Sequence, residues 1–171
     1  MIIISDTNIL SSMAAGEAFP ALLRLFARAK IAIPFGVQHE LQEGLDRGRA
    51  YLEPIIQAIQ SGRIEVVPLS AEEELLTFNC PDRLGDGERQ AIALTQTRKA
   101  TLLSNDDRAI RYCRQKGINH LDLVDILRLL WVRRVVSQDE VHILIEKMEQ
   151  VERLNLTPAD RSVVFDPRGR K

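Results

Sequence analysis

Apolar and polar positions fall in blocks along this chain, and the blocks follow two different periods. Met1 is followed by three isoleucines that run straight into Ser5, Asp6, Thr7 and Asn8. A short Ile-rich run of this kind suits a strand buried on both faces, as in a parallel sheet. In residues 17–30, Phe19, Leu22, Leu23, Phe26 and Ala27 share one helical face, with Pro20 in the first turn, where proline is tolerated. IAIP at 31–34 reads as a second buried strand. Val37, Leu41 and Leu45 recur every four residues and predict a helix over 35–46. Another helix is predicted over 51–60, stopped by Ser61 and Gly62. The β-branched run 64–69 reads as a third strand. Ser70 and Glu73 have the spacing of a capping box, so a helix starts there.

Residues 78–87 hold Asn79, Pro81, Gly85 and Gly87 and predict a loop. A helix follows over 88–98, with Ala91, Ile92 and Leu94 on its apolar face. The fourth strand, 100–103, runs into Ser104, Asn105, Asp106 and Asp107 and then into a helix closed at Gly117. Residues 118–121 make a fifth strand. Beyond Asp122 the pattern changes to two helices, 123–134 and 138–154. Ser137 and Asp139 are candidate caps for the second, and Val141, Leu144, Ile145, Met148 and Val151 form its stripe. The end of the chain, PADRSVVFDPRGRK, is polar and basic and reads as a loose tail.

Strands alternating with helices predict an α/β fold: a three-layer α/β/α arrangement with a central parallel sheet of about five strands, plus a C-terminal helical pair. The expected organisation is a main unit over 1–125, a helical extension over 126–155 and a flexible basic tail over 156–171. A chain of 171 residues fits one domain, and 45% hydrophobic content with a mean hydropathy of −0.11 allows a sizeable core. The net charge of −1 gives no global attraction to nucleic acid and does not exclude a locally basic groove. Cys80 and Cys113 form no CxxC pattern, which argues against a disulfide framework or a zinc site and favours the cytoplasm. The first apolar run is too short for a signal peptide, and no stretch reaches the ~20 residues that span a bilayer, so no membrane association is expected.

Two strands end alike, the first in ISDTN and the fourth in LSNDD. In an open parallel sheet ligands sit at the carboxyl ends of the strands, so Asp6 and Asp106 are expected at one edge. Carboxylates gathered there suit a hard divalent cation such as Mg²⁺ or Mn²⁺. Without one they repel each other, and at least one pKa rises. Glu40, in QHELQEG, and Glu88, in LGDGERQAIAL, are placed to join them. Each acid also has a plainer reading. Asp6 can cap a helix, Asp106 and Asp107 can face a helix dipole, Glu40 can be solvated, and Glu88 can be ordinary first-turn charge. Asp86 reads first as an N-cap. His39, His120 and His142 show no ligand spacing. Arg108 and Arg111 stand near enough to reach phosphates or else form a solvated face. Trp131 to Arg134 with Arg168, Arg170 and Lys171 offer a basic strip for RNA or simply solubility.

The order ISDTN, HELQEG, GERQAIAL and LLSNDDRAI resembles the PIN-domain nucleases over roughly residues 1–125. The family pattern carries over onto Asp6 with Thr7 and Asn8, Glu40 within VQHELQEG, Glu88 at a helix start, and Asp106 within LSND. The third acid resembles the subgroup with a "GE..AI.LA" segment, which gives Glu88, although Asp86 stands two residues away. The resemblance implies a metal-dependent ribonuclease that hydrolyses RNA phosphodiester bonds with one or two Mg²⁺ or Mn²⁺ ions. It implies Asp6, Glu88 and Asp106 as metal ligands and Glu40 as holder of a metal-bound water or a second ion. Thr7 or Asn8 would orient Asp6, and Ser104 would orient Asp106, with Asp107 as a cap or supporting residue. Many relatives are toxins of toxin–antitoxin pairs, so an antitoxin protein and a homodimer are implied as partners beside the RNA substrate. The alternative is a non-catalytic PIN-like module that binds RNA or protein, which the presence of all four acids disfavours. Aspartyl-phosphate enzymes fit poorly, because Asn8 stands where a dehalogenase-type phosphatase needs a second Asp.

Overall fold

A computed structural model describes residues 1–152 and 154–169. Its centre is β1 (Ile2–Ser5), flanked by β2 (Lys30–Pro34) and β4 (Thr101–Leu103), with β3 (Ile64–Val67) and β5 (His120–Leu121) outermost. The strand order is β3-β2-β1-β4-β5, and every pair is parallel. Ile4 lies opposite both Ala32 and Leu102, and Ser5 opposite Leu103. The chain winds outward from β1 through β2 to β3, then returns to the other side for β4 and β5. The direction of winding therefore reverses between β1 and β4. That reversal opens a crevice beyond the carboxyl ends of these two strands.

The helices are α1 (Thr7–Ala15), α2 (Phe19–Leu25), α3 (Phe35–Asp46), α4 (Glu53–Gln60), α5 (Ala71–Thr77), α6 (Asp86–Thr97), α7 (Asp107–Lys116), α8 (Leu123–Val132), α9 (Gln138–Glu152) and α10 (Pro158–Val164), with a 3₁₀ turn at Ala50–Leu52. Successive strand residues point to opposite faces. Ile3 joins a core with Ile33, Leu10, Met13, Leu127 and Ile145, while Ile4 joins a second core with Ala32, Ile92, Leu102 and Cys113. Helices cover both sheet faces, as the apolar character of β1 on both sides requires. Among the described residues no helix is long and apolar enough to cross a membrane.

The structure departs from the sequence pattern in three places. The first is α1, which the hydropathy pattern does not announce. Ser11 and Ser12 interrupt its apolar stripe, yet both are buried alongside Ile9, Leu10 and Met13. The second is α2, which begins only at Phe19 because Glu17 takes a positive φ of 57° and separates it from α1. The third is the end of the chain. The segment expected as a loose tail forms α10, capped by Thr157 and Asp160, with Val164 buried. Trp131 Nε1 donates to the Val164 carbonyl at 2.7 Å, and Arg128 Nε to the Asp166 carbonyl at 2.8 Å, so this segment is bound to α8. The expectations placed on Arg170 and Lys171 lie outside the described residues.

Candidate active site

Asp6 follows β1 directly and opens α1. Its backbone N–H donates to the Leu103 carbonyl of β4 at 3.0 Å, which pins it at the crevice. Its Oδ1 caps α1 by accepting from the Ile9 N–H at 2.9 Å. The plain helix-cap reading therefore accounts for one oxygen. The other, Oδ2, is buried without a hydrogen-bond partner. The residue is 1% exposed. Burial pushes its carboxyl up to about 7, and the Glu88 charge adds to the rise; the Ile9 N–H, Ser104 and the Asn105 N–H pull the other way. An orphaned, buried carboxylate oxygen costs on the order of 1–3 kcal/mol or more, so it requires an explanation.

Glu40 and Glu88 reach the crevice from α3 and α6. Glu40 Oε2 accepts from the Thr7 hydroxyl, and Oε1 accepts from the Gly87 N–H at 3.3 Å. A Cβ at Gly87 would stand 2.7 Å from Glu40 Oε1, so only glycine leaves room for this carboxylate. A Cβ at Gly36 would stand 3.0 Å from Gly87 Cα, and the Gly36 N–H donates to Gln90 Oε1 at 2.9 Å. Two glycines thus let α3 and α6 approach and bring the two glutamates together. Glu88 Oε2 accepts from the Gly85 N–H at 2.9 Å, and Oε1 accepts from Asn8 Nδ2 at 3.3 Å. Burial raises the Glu88 carboxyl, and the charges of Asp106 and Glu40 raise it further. Glu88 is thus the electrostatic hub: it feels Asp106 and Glu40, and Asp6 feels it.

Asp106 caps α7, with Oδ1 accepting from the Arg108 N–H at 2.8 Å and the Ala109 N–H at 2.9 Å. Its own N–H donates to Ser104 Oγ at 3.2 Å, so Ser104 shapes the turn that presents Asp106. Several expected roles change. Thr7 and Asn8 hold Glu40 and Glu88, not Asp6, because residues just inside a helix project sideways from its cap. Asp107 is the first residue of α7, and the cap is Asp106. Asp86 is not an N-cap; Gly85 takes that place, and Asp86 pairs with Arg89 at 2.8 Å in an exposed position. Of the two candidates for third acid, Glu88 therefore faces the other carboxylates.

The donor set is all oxygen, as Mg²⁺ or Mn²⁺ prefers, and Asp6 Oδ2 is left for a positive partner. Among the described residues, however, no three His, Cys, Asp or Glu side chains converge into a ready-made metal cage. Each acid instead spends at least one oxygen on a local hydroxyl or N–H. The chemistry of the site fits a hard cation, and the side-chain positions leave the ligand set to be completed.

A groove of about 810 Å³ opens beside Asp106. Asp106 and Asp107 line it with the amides of Asn8 and Asn105, and Arg49, Arg108 and Arg111 line it as cations. Ser11, Ser12, Tyr51, Val151 and Glu152 complete it. Sequence reading reached Arg108 and Arg111 but not Arg49, Tyr51, Glu152 or the two serines. Gly87 lay within the quoted LGDGERQAIAL, yet its role needed the α3–α6 contact to be visible.

The family model DUF3368, a PIN domain, matches residues 2–159. Among solved structures, the chain is similar to the crystal structure of VapBC2 from Rickettsia felis bound to a DNA fragment from their promoter. The two share 21% identity with a TM-score of 0.56, covering 71% of this chain and 98% of that one. At this identity the likeness concerns the fold. A domain of a functionally unknown protein from Methanocaldococcus jannaschii DSM 2661 shares 20% identity over 71% of this chain and 90% of that one, with a TM-score of 0.45. Among curated proteins nothing matches the chain.

Proposed function

The chain belongs to the PIN-domain family, and from that premise we propose that it is a divalent-metal-dependent ribonuclease acting through Asp6, Glu40, Glu88 and Asp106. The observation that carries this reading is Asp6 Oδ2, a buried carboxylate oxygen with no hydrogen-bond partner, on a carboxyl that feels the charge of Glu88, which in turn feels Glu40 and Asp106. Asp6, Glu88 and Asp106 would hold Mg²⁺ or Mn²⁺. A bound ion of this kind supplies a water of lowered pKa and positive charge beside the scissile phosphate. Glu40, held by Thr7 and Gly87, would orient that water or bind a second ion. Asn8 fixes Glu88, and Ser104 fixes the Asp106 turn. Asp6 gives up a proton when it ligates, so cation affinity rises with pH around neutrality. Arg49, Arg108 and Arg111 meet phosphate oxygens along the groove.

A cleavage assay on mixed RNAs tests this reading. Cleavage is expected with Mg²⁺ or Mn²⁺ and not with EDTA, and Asp6→Asn is expected to abolish it. Metal-independent cleavage, or equal activity in the variant, contradicts it. The non-catalytic module draws on one observation, the unconverged ligand set. It predicts RNA binding without cleavage and no change in that binding on Asp6→Ala.

The partner proposal follows from the solved VapBC2 structure, an assembly bound to promoter DNA. By analogy we assign this chain an antitoxin protein partner; the family resemblance adds a homodimer, and the unpaired cysteines a cytoplasmic site of action, to the proposal. Growth arrest on expression, relieved by a small DNA-binding protein encoded beside it, supports the toxin role; expression without arrest counts against it.

A further inference from the structure

The groove holds a second cluster that the metal chemistry does not use. Ser11 and Ser12 lie on α1, Tyr51 in the 3₁₀ turn after α3, and Glu152 at the end of α9. The Ser11 hydroxyl donates to Glu152 Oε1, and the Ser12 hydroxyl donates to Oε2 at 2.7 Å. The Tyr51 hydroxyl also donates to Oε1, at 3.2 Å. Ser11 and Ser12 are 6% and 4% exposed, yet with Tyr51 and Glu152 they line the groove.

A hydroxyl carries one proton and two acceptor lone pairs. Here three hydroxyl protons are spent on a single carboxylate. The cluster therefore offers the groove acceptors: hydroxyl lone pairs and the remaining capacity of Glu152. Arg49, Arg108 and Arg111 offer the opposite character, fixed cations that suit phosphate. A ligand that satisfies both carries an anion on one side and a hydrogen-bond donor on the other, which describes a nucleotide. Attaching α9 to α1 does not by itself call for a carboxylate. Val141, Ile145 and Met148 already bury α9, and Gly16 at the end of α1 makes room for Met148, whose Cγ would stand 2.5 Å from a Cβ there.

We infer that Ser11, Ser12, Tyr51 and Glu152 form a nucleotide-reading subsite that accepts a hydrogen bond from a donor on the nucleotide beside the cleaved phosphate. The inference rests on reading the groove as a nucleic-acid site. Two groups supply such a donor, the ribose 2′-hydroxyl and a base exocyclic amino group. An acceptor-lined subsite rejects the analogue lacking the donor, because its own polar atoms are then left unpaired.

The test is binding, not cleavage, so its failure is distinguishable from failure of the nuclease reading. Short labelled single-stranded RNAs are titrated against the full chain by fluorescence anisotropy in Ca²⁺. In the sugar arm 2′-hydroxyl is compared with 2′-fluoro, which cannot donate. In the base arm cytidine is compared with uridine, and guanosine with inosine. The wild-type chain is expected to prefer the donor-bearing partner in one arm by about tenfold. Glu152→Gln turns a donor into the cluster and is expected to bring that ratio close to one. Tyr51→Phe keeps the ring and both serine contacts, and is expected to reduce the ratio partway; it also gives the answer should Glu152→Gln not fold. Equal affinities in both arms, no binding of any RNA, or a preference unchanged in the folded variants overturns the inference. A donor preference lost in the variants, in a chain that cleaves nothing, leaves the subsite standing and removes the nuclease reading.

Discussion

Two carboxylates in this molecule are both closed to solvent, Asp6 deep and Glu73 near the surface, and their pKa values shift in opposite directions. Glu73 is 3% exposed and Asp6 is 1% exposed. Glu73 closes the capping box of α5 by accepting from the Ser70 N–H at 2.7 Å. It also accepts from the Thr97 hydroxyl at 2.6 Å and from Arg98 Nε at 2.8 Å and Nη2 at 3.0 Å. The Arg98 guanidinium, with Thr97 and Ser70, holds its carboxyl down at about 2 despite burial. Asp6 has one hydrogen-bonded backbone donor in Ile9, an orphaned oxygen and a repelling neighbour in Glu88; Ser104 and the Asn105 N–H pull its carboxyl down too weakly to offset burial, which drives it up to about 7. Low solvent exposure alone thus does not decide the charge of an acid; the depth of burial and the donors supplied to it do. Glu73 is a finished structural joint between α5 and α6. Asp6 is unfinished as protein structure, which is what a ligand for a cation requires.

The contrast can be broken from either side. The largest effect is expected at Asp6. Asp6→Asn should lower metal-dependent RNA cleavage by more than about 100-fold, beyond the 10- to 100-fold typical of residues that only support metal ligands. At Glu73 the effect should move to stability. Glu73→Ala leaves Arg98 Nε without its acceptor, while Thr97 keeps the Ala93 carbonyl and Arg98 Nη2 the Pro68 carbonyl, and should cost about 2 kcal/mol in denaturant unfolding, with cleavage unchanged well below the melting temperature. A large activity loss with intact stability would show that Glu73 is more than a joint.

Linkage sharpens the contrast by sign. The Asp6 carboxyl is raised from 3.8 to about 7 in the fold, so it contributes stability that is full below about pH 4 and lost as pH rises through 7. In EDTA, stability from this group should fall by about 2 kcal/mol between pH 5.5 and 7.5, and Asp6→Asn should flatten the profile. Glu73 runs the other way: its contribution is present above about pH 4.5 and lost as pH falls towards 2. Smaller again is Gly87→Ala, whose added Cβ meets Glu40 Oε1 at 2.7 Å. It should displace Glu40 and lower cleavage by about tenfold, with a smaller change in melting temperature. Unchanged cleavage would mean that the Glu40–Gly87 contact does not position Glu40.

The two regions were also unequally legible. Ser70 and Glu73 are a local signal three residues apart, and the helix they announce is there. The strand-end acids were legible for the same reason: β1 and β4 are short apolar runs that end in matching polar turns, and parallel pairing brings those ends together. What the sequence concealed depends on distant contacts. Ser11 and Ser12 look like breaks in a helix until Glu152 arrives from α9 to receive their protons. Thr7 and Asn8 were expected to serve Asp6, their neighbour in the chain; the helix they open points them at Glu40 and Glu88 instead. The end of the chain looked solvated because its few apolar residues are spaced for α10 to cover α8, a surface not visible from the segment itself.

The central claim is that Asp6 is the protein group left unsatisfied for a divalent cation. Electron paramagnetic resonance of Mn²⁺ titrated into the purified chain at pH 8 tests it most directly, because the free-ion signal falls as Mn²⁺ is taken up. Uptake of one or two ions per chain is expected for the wild type, with loss of that uptake in Asp6→Asn and its retention in Glu73→Gln. Equal uptake by the wild type and Asp6→Asn, or none by the wild type, would contradict it.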